Sequence, residues 1–140
     1  MKDVTLGKMV DLEKTESLFI PATWIKSFNE EQSNFAIFLK SNPTMFRFIP
    51  TKTGVIKQFH MKLTVLEENF LQRLFQVFDI IYKDYQIKPV YSSGVCFVDD
   101  DCYYFFLIED VNEDIEEKLK AMLIKLKGVE EIFVKKYNID

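Results

Sequence analysis

The chain has 140 residues, 48% of them apolar, with fourteen Phe, six Tyr and one Trp, enough for one domain of ordinary size or one domain plus a small appendage. Four Gly and four Pro exclude low-complexity chains, and no apolar run approaches the roughly 20 residues that span a bilayer. The net charge of −4 is uneven: residues 1–54 carry seven Lys/Arg against six Asp/Glu, and residues 55–140 carry eleven against sixteen, so any phosphate contact is expected from the first part while the second repels nucleic acid.

The start, MKDVTLGKMVDLEK, lacks the apolar stretch of a secretion signal, so a cytoplasmic setting with no membrane partner is expected. Leu6 to Leu12 reads as a strand. Ser17 to Ile20 reads as a second strand ended by Pro21, and Ala22 to Phe28 as a short helix that Pro21 can start. Asn29 to Ser33 is a polar loop. Phe35 to Lys40 and Met45 to Ile49 read as two strands joined by a turn at Ser41-Asn42-Pro43. In the second of these, Arg47 shares a face with Met45 and Ile49. Residues 1–50 thus form a small β-rich domain. Pro50 to Gly54 holds the boundary, with 51–54 as a linker.

Val55 to Thr64 is a strand whose apolar face is Val55, Lys57, Phe59, Met61 and Leu63. His60 lies on the other, polar face. Glu67 to Tyr85 is a helix, with Phe70, Leu71, Leu74, Phe78, Ile81 and Tyr85 on one stripe and Pro89 preventing continuation. Val90 to Val98 is a strand with Gly94 as a bulge or close approach. Asp99-Asp100-Asp101 is a turn, and Cys102 to Ile108 completes a hairpin. This strand, CYYFFLI, is apolar on both faces, so it must be covered on both. Asp110 or Asn112 caps a second helix. Its buried stripe is Ile115, Leu119, Met122, Leu123 and Leu126, and Gly128 terminates it. Glu131 to Tyr137 is the last strand. The fold class is α+β: strand, helix, strand, strand, helix, strand, with both helices on one face of an antiparallel sheet. Residues 1–54 or a second copy must cover the remaining face, and a homodimer is expected, with Tyr103, Phe105 and Leu107 in its interface.

Few residues point to chemistry. His60 is the only histidine and reads as structural, since a catalytic base needs a nucleophile and an orienting carboxylate beside it. Cys96 and Cys102 flank the hairpin turn and are expected as reduced thiols. With one His they are too few for a four-ligand zinc site without carboxylate help, and three consecutive Asp lack the alternating ligands and distal Glu of a calcium loop. The four glycines are isolated, which excludes phosphate-binding loops. A base-stacking role for the aromatics of CYYFFLI conflicts with the acidity of this part. No enzyme activity, cofactor or metal is expected.

Residues 57–138 resemble an ACT-like domain. The stretches that carry the resemblance are LTVLEENFLQRLFQVFDIIYKDYQI, KPVYSSGVCFVDDDCYYFFLIED and NEDIEEKLKAMLIKLKGVEEIFVKKY. The resemblance implies a ferredoxin-like βαββαβ fold over residues 55–140, dimers with sheets side by side, and a regulatory role with an amino acid or other small molecule bound at the interface. The family's ligand loop, usually Asp-x-Pro-Gly, corresponds here to Leu66, Glu67, Glu68 and Asn69. Residues 6–51 are similar to a SpoVT/AbrB swapped-hairpin domain, through Leu18-Phe19-Ile20-Pro21 and its helix, then Phe35 to Leu39 and Met45 to Pro50. That resemblance implies a DNA-binding dimer in which Lys14, Lys26 and Arg47 position phosphates. The combined expectation is a dimeric regulator of transcription-factor type; the alternative is an interaction or sensing module with no DNA role.

Overall fold

The computed structural model describes residues 5–13, 20–41, 45–64, 68–96, 102–109 and 111–139. The chain divides into two compact units. One is Lys57–Lys135; the other takes the chain up to Ile56 together with its end from Lys136 onward. The end of the last strand therefore belongs with the N-terminal residues, a division that a linear reading at residues 51–54 does not contain.

The N-terminal unit holds β1 (Thr5–Asp11), α1 (Ala22–Glu30), β2 (Phe35–Ser41) and β3 (Met45–Thr51). The strands form an antiparallel sheet in the order β1-β2-β3. Register places Met9 opposite Ile37 and Ile37 opposite Ile49, while Lys8 faces Phe38 and Phe38 faces Phe48. Because side chains alternate along a strand, Met9, Ile37, Leu39, Arg47 and Ile49 share one face. Lys8, Phe38, Lys40, Phe46 and Phe48 share the other. Met9, Ile37 and Leu39 are buried. On the opposite face α1 contributes Phe28, whose ring centroid lies 5.5 Å from Phe48; Phe48 in turn lies 5.1 Å from Phe38. Pro50 is tolerated because β3 is an edge strand.

Pro21 starts α1, its carbonyl accepting from Trp24 N at 2.9 Å and Ile25 N at 3.2 Å. The helix stops where Gln32 turns left-handed, φ 63°. There Ser33 N donates to Phe28 O at 2.7 Å. Residues 51–54 are not a loose linker. Thr51 Oγ1 donates to Thr53 O at 2.8 Å and Thr53 Oγ1 to Val55 O at 3.0 Å, which fixes the turn from β3 into the next strand.

That strand is β4 (Val55–Leu63), followed by α2 (Phe70–Tyr85), β5 (Pro89–Cys96), β6 (Cys102–Glu109), α3 (Glu113–Leu123) and β7 (Val129–Asn138). Their sheet runs β5-β6-β4-β7. Phe59, Met61 and Leu63 of β4 and Phe106 and Ile108 of β6 meet both helices in one core. Each such side chain taken fully out of water contributes about 1.5–3 kcal/mol. Phe106 stacks on Phe59 at 4.9 Å and takes the edge of Phe78 at 4.8 Å. The helix α3 is capped by Asn112, whose Oδ1 accepts from Ile115 N at 2.9 Å, and Glu113 and Asp114 complement its positive end. Asp110, the other proposed cap, lies outside the described residues. Gly128, the expected terminator, has φ 94°, a backbone state that suits glycine. Its carbonyl receives Thr64 N at 2.9 Å.

Several expectations need correction. The buried stripe of α2 is Phe70, Leu74, Val77 and Ile81; Leu71 and Tyr85 are exposed. Gly94 is not a bulge. It pairs in register with Tyr104, and the irregularity lies between Pro89 and Tyr91. A Cβ at Gly94 would stand 2.9 Å from the Tyr104 ring, so glycine is needed there for close approach. His60, on the polar face of β4, is buried rather than solvated, and Gln58 on the same face is buried with it.

The cysteines also differ from the expected reduced state. Cys96 and Cys102 are directly opposite in the β5-β6 register, with Cα atoms 4.1 Å apart, and they form a disulfide. Protein purified without reductant and then unfolded should therefore show no thiol by colorimetric titration. Detection of both thiols would contradict the bridge.

Candidate nucleic-acid interface

The sequence-predicted phosphate contacts do not converge. Lys26 is an exposed residue of α1, the helix that packs on the Phe48 face. Arg47 is half-buried on the opposite face of the same sheet, beside Leu39 in register. Lys14 lies outside the described residues. A single surface cannot use both Lys26 and Arg47 without reaching round the sheet.

A different basic surface is present. Lys8 and Lys40 are exposed and stand on the Phe48 face. Lys40 pairs directly with Phe46, and Lys8 faces Phe38, two residues before Lys40. Lys8 and Lys40 are thus diagonal neighbours across the β1-β2 pair, within reach for long side chains. The described strand residues of this face include no carboxylate, since Asp11 projects from the other face with Met9, while α1, which packs on it, ends in Glu30. None of Lys8, Lys26 and Lys40 forms an ion pair with a described residue.

Aromatic rings accompany these lysines. Phe46 is 70% exposed and Trp24 59% exposed. Trp24 precedes Phe28 by one helical turn, and Phe46 lies two residues along β3 from Phe48, so both stand close to the Phe28–Phe48 contact.

Along the edge of β1 that faces away from β2 lies a notch of about 370 Å³, lined by Gly7, Lys8, Met9, Lys136, Tyr137 and Asn138. Gly7 is required for its shape: a Cβ there would sit 2.8 Å from the Tyr137 ring and 3.2 Å from Ile37 Cδ1. Lys8 belongs both to this notch and to the sheet face, which makes the two continuous.

The other proposed sites are distributed as follows. Leu66 and Glu67 of the ligand loop lie outside the described residues, whereas Glu68 and Asn69 are exposed in the turn before α2. Tyr103, Phe105 and Leu107 are 3%, 2% and 0% exposed within the single chain, so they do not present the dimer surface expected of them. His60 stacks 5.7 Å from Phe105 and lies 6.2 Å from Phe133, which agrees with a structural reading in a buried rather than solvated place. Asp99, Asp100 and Asp101 lie outside the described residues. Among the described residues no three His, Cys, Asp or Glu side chains gather as cation ligands, and no helix is long and apolar enough to cross a membrane.

The helical layer carries the remaining surface chemistry. Lys118 donates to Tyr85 Oη at 3.3 Å and to Asp84 Oδ2 at 3.2 Å. These bonds, the tyrosine's first, hold its ammonium above the ordinary lysine value. Lys57 reaches Glu116 at 3.0 Å, with side chains only 10% and 19% exposed.

Sequence reasoning missed Lys40, Phe46 and Lys136. The first two were legible in principle: the antiparallel pairing of β2 with β3 sets them opposite each other once strand ends are known. Nothing local ties Lys136 to Lys8, since 128 positions separate them. No known protein-family model matches this chain, and no curated protein matches it.

Proposed function

We propose that the chain is a non-catalytic regulatory protein whose N-terminal unit contacts nucleic-acid phosphates and whose second unit associates with another copy. The observation that carries the first half is the lysine-bearing sheet face. Lys8 and Lys40 on that face and Lys26 on α1, which packs on it, form no ion pair with a described residue; the described strand residues of the face include no carboxylate, although α1 itself ends in Glu30. Such groups attract a polyanion and release its counterions. The test is a titration of a mixed-sequence duplex followed by fluorescence anisotropy at roughly 50 and 200 mM salt. Binding should weaken steeply with salt. Replacing Lys8, Lys26 and Lys40 together by Ala should lower the slope of log K against log salt by about 0.9 for each phosphate no longer neutralised. No binding at the lower salt, or an unchanged slope, would remove the reading.

The strand order β5-β6-β4-β7, with α2 and α3 on one face, supports a ferredoxin-like βαββαβ arrangement and with it an ACT-like regulatory role. A second reading, protein association through that unit, has its own observation. Leu71, Phe75, Phe78, Tyr82 and Tyr85 recur at spacings of four, three, four and three, on a stripe roughly 90° round α2 from the buried one. Leu71, Phe75, Tyr82 and Tyr85 are exposed. Identical stripes with this 3.5-residue period pack against each other as knobs into holes. A Phe75→Glu, Tyr82→Glu variant should sediment as a monomer at concentrations where the parent is dimeric. A monomeric parent, or a dimer insensitive to both changes, would place association elsewhere.

A further inference from the structure

We propose that the β1-edge notch and the adjoining sheet face bind single-stranded nucleic acid, with a backbone phosphate held by Lys8 and Lys136 and a base stacked on Phe46. The inference rests on the nucleic-acid reading above and specifies the strand state and the residues. Three observations carry it.

First, the notch pairs two lysines with an Asn amide. Lys8, Lys136 and Asn138 line an open depression of about 370 Å³. No ion pair to a described residue occupies either lysine. Second, a line of alternating chemistry leaves the notch. Lys8 leads diagonally to Lys40, and Lys40 lies directly opposite Phe46. Charge followed by an open aromatic ring matches a strand whose phosphates and unstacked bases alternate. Third, Phe46 is 70% exposed on a regular strand, although its neighbour two residues on, Phe48, is covered by Phe28. A duplex keeps its bases stacked inside and offers nothing to this ring; a single strand offers a free face.

Trp24, the chain's only tryptophan, reports on the same surface. The experiment uses the full chain with oligothymidylate and oligouridylate of roughly 12 nucleotides, within the site sizes of small single-strand-binding β domains. A mixed-sequence duplex is titrated in parallel. The single strands should bind more tightly than the duplex and change Trp24 fluorescence. Phe46→Ala should weaken single-strand binding roughly fivefold to hundredfold, the effect of removing one base stack, and leave duplex binding unchanged. Phe46→Tyr should restore it. The Lys8→Ala, Lys136→Ala variant should flatten the salt slope by about 0.7 per phosphate, the single-strand value.

Duplex binding with a steep salt slope, but weaker single-strand binding that Phe46→Ala does not alter, would overturn this inference and leave the broader reading standing. No binding of either nucleic acid would overturn both. Binding of anionic phospholipid vesicles without either nucleic acid would overturn both as well, and would assign the lysines and exposed rings to a membrane surface.

Discussion

Phe106→Ala should cost about 3–5 kcal/mol of stability, the range for deleting a large buried aromatic side chain. Phe106 is fully buried at the point where β6, β4 and α2 meet. Its ring lies 4.9 Å from Phe59 with an interplanar angle of 4°, and 4.8 Å from Phe78. Truncation removes transfer energy and leaves a cavity bounded by two strands and a helix that cannot collapse together without breaking register. It also removes two aromatic pairings, each worth about 0.5–1.5 kcal/mol beyond area. Urea unfolding should show a lower midpoint with an unchanged slope. Phe133→Ala is the control, because Phe133 is 48% exposed; its cost should stay below about 1 kcal/mol. Equal costs for the two would mean that the helix-covered face of the sheet is not the core.

Glu116→Ala should cost about 2–4 kcal/mol, somewhat under the range for breaking a fully buried pair. Lys57 lies on the helix-facing side of β4 among Phe59 and Met61, and its ammonium meets Glu116 at 3.0 Å. Removing the carboxylate leaves a cation that is mostly out of water with no opposite charge. Removing both charges should not. Lys57→Met combined with Glu116→Leu fills the same space with apolar groups and should return stability to within about 1 kcal/mol of the parent, or exceed it. Purely additive losses in this double-mutant cycle would show that the pair behaves like an exposed one.

The fold of the second unit was largely legible because its periodicities are clean. Val55 to Leu63 alternates so regularly that its core face follows from the residues, Lys57 included. The helix α2 shows the limit. It carries two adjacent apolar stripes, and either could face a sheet; only packing selects Phe70, Leu74, Val77 and Ile81. Gly94 admitted two readings, bulge or close approach, and the Tyr104 ring across the hairpin decides between them. His60 falls on the face that alternation marks as polar, yet it is buried, because alternation reports polarity and not cover.

The site was less legible for a physical reason. Lys26 and Arg47 are near each other in a basic-residue count but sit on opposite faces of β1-β2-β3, which strand parity determines only after register is known. Lys40 and Phe46 become partners through the same register. Lys136 joins Lys8 by an approach across almost the whole chain, and no local pattern predicts it.

The most direct test of the account is a hydrogen-exchange comparison of the full chain with and without saturating nucleic acid. The account predicts added protection confined to β1, the β2-β3 hairpin, α1 and residues 136–138, with Lys57–Lys135 unchanged. Protection concentrated in α2, α3 and β6, or none anywhere under conditions where binding is complete, would contradict it.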